Sequence, residues 1–352
     1  MKIISIVGTR PQFLKLIPLS LEFDKHSDIE HIIIHSGQHY DDNMFKDIFN
    51  CLNSQLPDYI FERTGDTTLQ NLSYMMLNIE KVVIKEKPNI IIVFGDCDTT
   101  TAGAFVANKN NIFLVHIESG MRSYNKQMPE EINRLIVDNI SDLLLCSTHD
   151  SLINLKKENN NTPTYFVGNL QIDLLSITCK KYNDKNILNK HHIPENNYVL
   201  LTIHRAYNTN KKNLSIILDY LKEIDKKIIF PIHPRTLKII KNERITVPSN
   251  IIMIPPVNYL NMTLLEKYCS YIITDSGGIQ AEAGFLKKKC IVMRTETEWK
   301  QEIINNNNIL YDYKTPFKFF INNFLNIPIK TTSEQHIKCS EKIIDLIKNI
   351  KI

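Results

Sequence analysis

Short runs of branched apolar residues, each followed by an amphipathic stretch, set the tightest limit on what this chain can fold into. In the first half they are 3–7 followed by 11–25, 31–35 by 42–50, Ile90–Phe94 by 98–109, and 113–116 by 129–140. The second half repeats the alternation at 199–203, Lys227–Pro231, Ile251–Ile254, Tyr271–Thr274 and 290–293. Strands that are apolar on both faces must be covered on both faces. The pattern therefore predicts an α/β chain of two doubly wound, Rossmann-like domains. The spacing places the boundary at 167–169, giving domains 1–168 and 169–331, and a weaker helical pattern over 332–352 closes the chain. The polar tract 182–197 reads as a surface loop, and the asparagine runs 159–161 and 305–308 read as swollen loops.

Composition removes several classes of function. Of 352 residues, 42 are basic and 38 acidic, a difference of +4 that is too small to mark a nucleic-acid or anionic-membrane surface. No apolar run approaches the roughly 18–20 residues of a membrane span, and Met1-Lys2 lead directly into a strand, so a cytoplasmic protein is expected. The seven cysteines include no C-x-x-C pair, and neither disulfides nor a metal site is expected. Only eight of the 42 basic residues are arginine, and Arg10, Arg122, Arg134, Arg205, Arg235 and Arg294 fall in short motifs. Lysine serves equally well for surface charge, so these are candidate sites for the planar guanidinium fork.

In open parallel sheets ligands bind beyond the carboxyl ends of the strands. The first strand runs into Gly8-Thr9-Arg10-Pro11, where Arg10 and Lys15 flank a helix N-terminus that suits a phosphate. This is neither a Walker A loop nor a dinucleotide fingerprint. Later strand ends deliver Asp96 and Glu118, and Pro129 opens a helix carrying Glu130 and Glu131. Asp96, Glu118 and one of that glutamate pair would supply the carboxylates that proton abstraction beside a sugar carbon needs. Asp98 and Glu131 read instead as helix-terminus charges. In the second half, Ser276-Gly277-Gly278 opening a helix forms a backbone-amide cradle for a diphosphate. Glu282, a turn further on, can accept from ribose hydroxyls. His204 beside Arg205 is a candidate phosphate ligand or acid, and His233 fits a structural role equally well.

Six motifs in order carry a resemblance. G-T-R-P-Q-F-L-K from Gly8, G-D-C-D-T-T from Gly95, H-I-E-S-G-M-R-S from His116, P-E-E-I-N-R from Pro129, T-I-H-R from Thr202 and T-D-S-G-G-I-Q-A-E from Thr274 resemble the non-hydrolysing UDP-N-acetylglucosamine 2-epimerase family. The likeness runs from Gly8 to about Trp299. It implies a GT-B architecture, with the two domains facing a central cleft and the C-terminal helix returning to the first. It also implies epimerisation at C2 of a UDP-N-acetylhexosamine (UDP-GlcNAc to UDP-ManNAc type) by elimination and readdition of UDP, serving cell-surface polysaccharide synthesis. No metal or added cofactor is implied, the partner is the UDP-sugar itself, and a homodimer is suggested. Carried over by motif, the catalytic set is Asp96, Glu118, Glu130 and His204, and the substrate-binding set is Arg10, Lys15, Ser276, Gly277, Gly278 and Glu282.

The chain also departs from the family. After Gln38-His39 it has Tyr40-Asp41-Asp42 in place of glutamines, so activation by a second UDP-sugar is not expected. Trp299 replaces an arginine, and the segment between Glu118 and Glu130 is short. Both features resemble the branch acting on UDP-2,3-diacetamido-2,3-dideoxy-glucuronate, whose C6 carboxylate Arg122, Lys126 or Arg294 would meet. A GT-B glycosyltransferase and a non-catalytic UDP-sugar sensor are the remaining alternatives.

Overall fold

Strand β1 (Lys2–Val7) carries Ile3, Ile4, Ile6 and Val7 with no exposed surface on either face, so it has to lie inside a sheet with helices on both sides. Each such side chain contributes roughly 1.5–3 kcal/mol relative to an exposed one. The computed structural model describes residues 1–38, 48–62, 65–158, 161–297, 299–330 and 338–350. These form two units, one of Met1–Ile177 with Gln335–Ile352 and one of Thr178–Glu334.

In the first unit β1 pairs in parallel with β2 (Glu30–His35) on one side and β4 (Ile90–Phe94) on the other. With β3 (Tyr59–Ile60), β5 (Phe113–Ile117), β6 (Leu143–Cys146) and β7 (Thr164–Phe166) the order is β3-β2-β1-β4-β5-β6-β7. The second unit joins β8 (Tyr198–Thr202), β9 (Lys227–Pro231), β10 (Ile251–Ile254), β11 (Tyr271–Thr274), β12 (Cys290–Val292) and β13 (Asn308–Leu310) as β10-β9-β8-β11-β12-β13. All pairings are parallel, as expected. The strand order reverses at β1/β4 in one sheet and at β8/β11 in the other. Chains leaving a reversed pair diverge to opposite faces and leave a crevice at the carboxyl ends. The chain has GT-B architecture. Among the described residues no helix is long and apolar enough to cross a membrane.

Two loop expectations are corrected. The tract 182–197 contains helix Asn186–Lys190, and its few apolar residues Ile187, Leu188 and Ile193 enter the core beside Tyr198 and Leu264, where burial anchors an otherwise polar segment. Asn305, Asn307 and Asn308 are buried, and Asn308 begins β13 while its amide donates to the Gln280 carbonyl at 3.2 Å. Asparagine there is a buried donor, not loop filler. The stretch 42–50 lies mostly outside the described residues, which resume at 48 in a helical turn.

The closing helix, Cys339–Lys348, belongs to the first unit and buries Ile343, Ile344 and Ile347. Its N-terminus has no local cap. The carboxylate of buried Asp173 accepts from Cys339 N at 3.2 Å, Ser340 N at 2.8 Å and Ser340 Oγ at 2.8 Å. At the other end Lys348 donates to Asp28 at 3.0 Å. Asp173→Ala strips a distant cap and is expected to lower the stability of the first unit by about 1–2 kcal/mol. The midpoint of its urea transition reads this, and an unchanged midpoint contradicts it.

Candidate active site

The reversal point of the first sheet is organised by glutamine, not by glycine alone. Gln12, in the first turn of helix Arg10–Phe23, accepts from Gly8 N at 2.8 Å and Thr9 N at 3.1 Å. Its amide donates to the Phe94 carbonyl at 2.8 Å and to Thr100 Oγ1 at 3.1 Å, which ties the β1 loop to the end of β4. Arg10 is the first residue of that helix and is half-buried. Lys15, one turn in, is buried, and its Nζ is ion-paired with Glu118 Oε2. Burial pushes the Lys15 ammonium down to about 8 although the Asp96 carboxylate opposes this. Glu118 leaves β5 at φ +71°, a left-handed conformation costing a non-glycine residue about 1–2 kcal/mol.

Asp96 and Glu118 are the half-exposed carboxylates of this cluster, at 35% and 27% of side-chain surface. Asp96 is held by Arg134, through Nε at 2.9 Å and through Nη2. Arg134 Nη1 donates in turn to Glu131 Oε2 at 2.8 Å. Glu131 is 1% exposed and also accepts from Ser123 N, Ser123 Oγ and Tyr124 N at 2.8–3.0 Å. Burial opposes its ionisation, but these donors outweigh burial and hold its carboxyl below the usual range. Asn133 donates to the Asp96 carbonyl at 3.0 Å and to Asp98 Oδ1 at 3.3 Å. Helix Pro129–Ile140 thus turns Glu131, Asn133 and Arg134 inward and leaves Glu130 exposed, without an ion pair among the described residues.

At the reversal point of the second sheet the hub is Asp275, which has no exposed side-chain surface. It accepts from Arg205 N at 3.0 Å, from Asn208 Nδ2 at 3.0 Å and from His204 Nδ1 at 3.0 Å. Burial works against the carboxylate, yet His204 and Asn208 hold it below the usual range. With Nδ1 donating to Asp275, His204 presents Nε2 from a half-exposed ring. Ser276 precedes helix Gly277–Phe285 without capping it by its side chain, and a Cβ on Gly278 would meet only Ser276 Oγ, at 4.0 Å. First-turn amides placed in this way can cradle an anion. Glu282 is buried, and beside it lies Glu266, 0% exposed. His233 caps helix Pro234–Asn242 by accepting from Arg235 N at 3.2 Å, which is the structural role.

A model of the UDP-N-acetylglucosamine 2-epimerase family matches residues 21–317. The chain belongs to this family. A UDP-N-acetylglucosamine 2-epimerase homolog of Methanococcus maripaludis is 43% identical over 317 residues, 88% of each chain. The UDP-2,3-diacetamido-2,3-dideoxy-D-glucuronate 2-epimerase of Pseudomonas aeruginosa is 37% identical, again over 88% of each chain. The crystal structure of Methanocaldococcus jannaschii UDP-GlcNAc 2-epimerase in complex with UDP-GlcNAc and UDP superposes with a TM-score of 0.84 at 37% identity, covering 99% of both chains.

Within this 2-epimerase framework the structure brings Lys15, Glu118 and Asp96 together in one unit, and His204 and the Ser276–Gly278 cradle to the reversal point of the other. It withdraws Arg122 as a partner for a sugar carboxylate, because Arg122 is consumed by Asp138 at 2.7 Å and by Glu158 at 2.7 Å. Sequence reading missed Gln12, Arg134 as the clamp on Asp96, Asp275 and Glu266. Arg134 had a signal, since a scarce arginine sat in a motif. Glu266 had none, because it follows Leu264 and Leu265 as any surface glutamate might follow an apolar stripe.

Burial, reinforced by the Glu282 carboxylate, pushes Glu266 well above the usual glutamate value of 4.5. A group whose folded value is raised contributes stability that is complete below the unfolded value and is lost as pH rises toward the folded one. Glu266→Gln is neutral at every pH, so its melting temperature should gain on the parent's as pH rises above about 5. A variant whose melting temperature fails to gain on the parent's over that range contradicts a protonated Glu266.

Proposed function

We propose that the protein inverts C2 of a UDP-N-acetylhexosamine, interconverting UDP-GlcNAc and UDP-ManNAc without net hydrolysis. The observation that carries this reading is the pair of half-exposed carboxylates, Asp96 and Glu118, each clamped by its own cation at adjacent strand ends. A carboxylate in this set takes the C2 proton while the C1–O bond to UDP breaks, and a C1–C2 double bond forms. A phosphate oxygen of UDP then re-forms the bond to C1 as a proton is delivered to the other face of C2. Atoms and electrons balance with no oxidant and no added cofactor.

Arg10 and Lys15 are assigned to the charge that gathers on the departing phosphate, and the Ser276–Gly278 amides to the diphosphate. His204 Nε2 serves as donor to a phosphate oxygen, and Glu282 as acceptor for ribose hydroxyls. Glu130 is the third candidate carboxylate, since it is exposed, whereas Glu131 already accepts from four donors. A sensor or a glycosyltransferase would leave Asp96 and Glu118 without a shared task. One second reading has support: Trp299 and the likeness to the Pseudomonas protein favour a UDP-2,3-diacetamido-2,3-dideoxy-glucuronate substrate. The exposed Lys126 is then the candidate partner for its C6 carboxylate.

Incubation with UDP-GlcNAc in deuterated water should give UDP-ManNAc with deuterium at C2. Asp96→Asn and Glu118→Gln are each expected to lower turnover by about 10²–10⁴-fold. Their affinity for UDP, followed by calorimetry, should stay within about threefold, because removing a proton-transfer group leaves the nucleotide contacts in place. Product without deuterium, or either variant at near-parental rate, contradicts the assignment. Turnover of the diacetamido-uronate alone moves the substrate to the second reading.

A further inference from the structure

Beneath Asp96 and Glu118 lies a fully buried group that the chemistry above does not use. His116 and Asp138 have no exposed side-chain surface. His116 Nδ1 lies 2.7 Å from Asp138 Oδ1, and Nε2 lies 2.7 Å from the Gly95 carbonyl. A carboxylate and a carbonyl only accept, so the ring donates through both nitrogens. Burial resists a charged Asp138, but His116 and Arg122 prevail and hold its carboxyl below the usual range. Its second oxygen accepts from Gly120 N at 3.0 Å and from Arg122 Nη1 at 2.7 Å. Arg122 is fixed in turn by Glu158.

The atoms held in this way are backbone atoms flanking the two carboxylates. Gly95 precedes Asp96, and Gly120 follows Glu118 by two residues. Gly95, Glu118 and Gly120 all take left-handed φ, at +66°, +71° and +75°. A Cβ on Gly95 would sit 3.2 Å from Glu118 Oε2 and 3.6 Å from Lys15 Nζ, so the Gly95 backbone is the floor under that ion pair. Asp138 also lies one helical turn beyond Arg134, on the same face of helix Pro129–Ile140. One helix therefore fixes Asp96 through Arg134, the Gly95 loop through Asp138 and His116, and the Gly120 loop directly through Asp138.

We propose that His116 and Asp138 are positioning residues for C2 epimerisation, setting the separation and aim of Asp96 and Glu118 by holding the Gly95 carbonyl and the Gly120 N–H. The inference rests on the epimerase reading. Turnover by the parent protein tests that reading, and the ratio of variant to parent tests this one. Asp138→Ala is expected to lower kcat by about 10²-fold, the loss that follows when reacting groups are misplaced by about 1 Å. UDP affinity should change by less than about threefold, because the nucleotide is assigned to other residues. Asp138→Asn should recover at least about tenfold of that loss, because the amide keeps an acceptor for Gly120 and offers an N–H to Nδ1 of a neutral ring. If Asp138→Ala does not fold, His116→Gln carries the test. It keeps one donor for Gly95 and loses the other, and kcat should fall by about tenfold with UDP affinity retained. A kcat within about threefold of the parent in Asp138→Ala, or in His116→Gln where that variant replaces it, overturns the proposal. So does an asparagine variant as impaired as alanine, or a loss of UDP affinity matching the loss of kcat.

Discussion

Two neighbouring parallel strands whose outgoing chains turn to opposite faces leave polar backbone at their carboxyl ends with nothing from the sheet to cover it. This constraint acts at β1/β4 and again at β8/β11, and the functional residues of both units answer it. At β1/β4 the gap is bridged by Gln12, which bonds both loops at once and is buried. At β8/β11 a single carboxylate, Asp275, gathers the N–H groups of residues 204 and 205. Once the backbone is satisfied, Lys15, Asp96 and His204 are spared that task, as the proposed roles require.

At the first-unit cluster each cation is set against a carboxylate. Lys15 offsets Glu118, and Arg134 lies between Asp96 and Glu131. A buried ion pair gains little net stability, because desolvation cancels most of the attraction. Its value is geometric, since it fixes where a charge sits. The low value of Lys15, near 8, shows the cost of burial outweighing its acidic neighbours. A cation held at that cost is well suited to meet a phosphate that gains charge as it leaves.

Much of the fold was legible because buried parallel strands are continuous apolar runs, as in Ile90–Phe94, and such runs need no tertiary information to be seen. Four strands escaped notice: Tyr59–Ile60, Thr164–Phe166 and Asn308–Leu310 carry too few residues to show a period, and Leu143–Cys146 is a four-residue apolar run close behind helix Pro129–Ile140. Asp96, Glu118 and Ser276–Gly278 stood out at strand ends, where polar residues interrupt apolar ones. The supporting residues did not, because their partners are distant in sequence. Asp138 lies 22 residues from His116, and Asp275 lies 71 from His204. Of the adjacent glutamates Glu130 and Glu131, only the helix phase relative to Ser123 and Arg134 decides which is buried. The glutamines expected to matter for a second UDP-sugar would follow Gln38, in a segment outside the described residues.

The central claim is that the clustered carboxylates act at C2 while the C1–O bond to UDP is broken, and bond cleavage can be observed directly. UDP-GlcNAc labelled with oxygen-18 in the bridge between C1 and the β-phosphorus is incubated with the protein, and the phosphorus spectrum of the recovered substrate is followed. The account predicts that the label moves from the bridge into the non-bridging β-phosphate positions, because free UDP can rotate before it returns. Formation of the C2 epimer with the label still wholly in the bridge would contradict it.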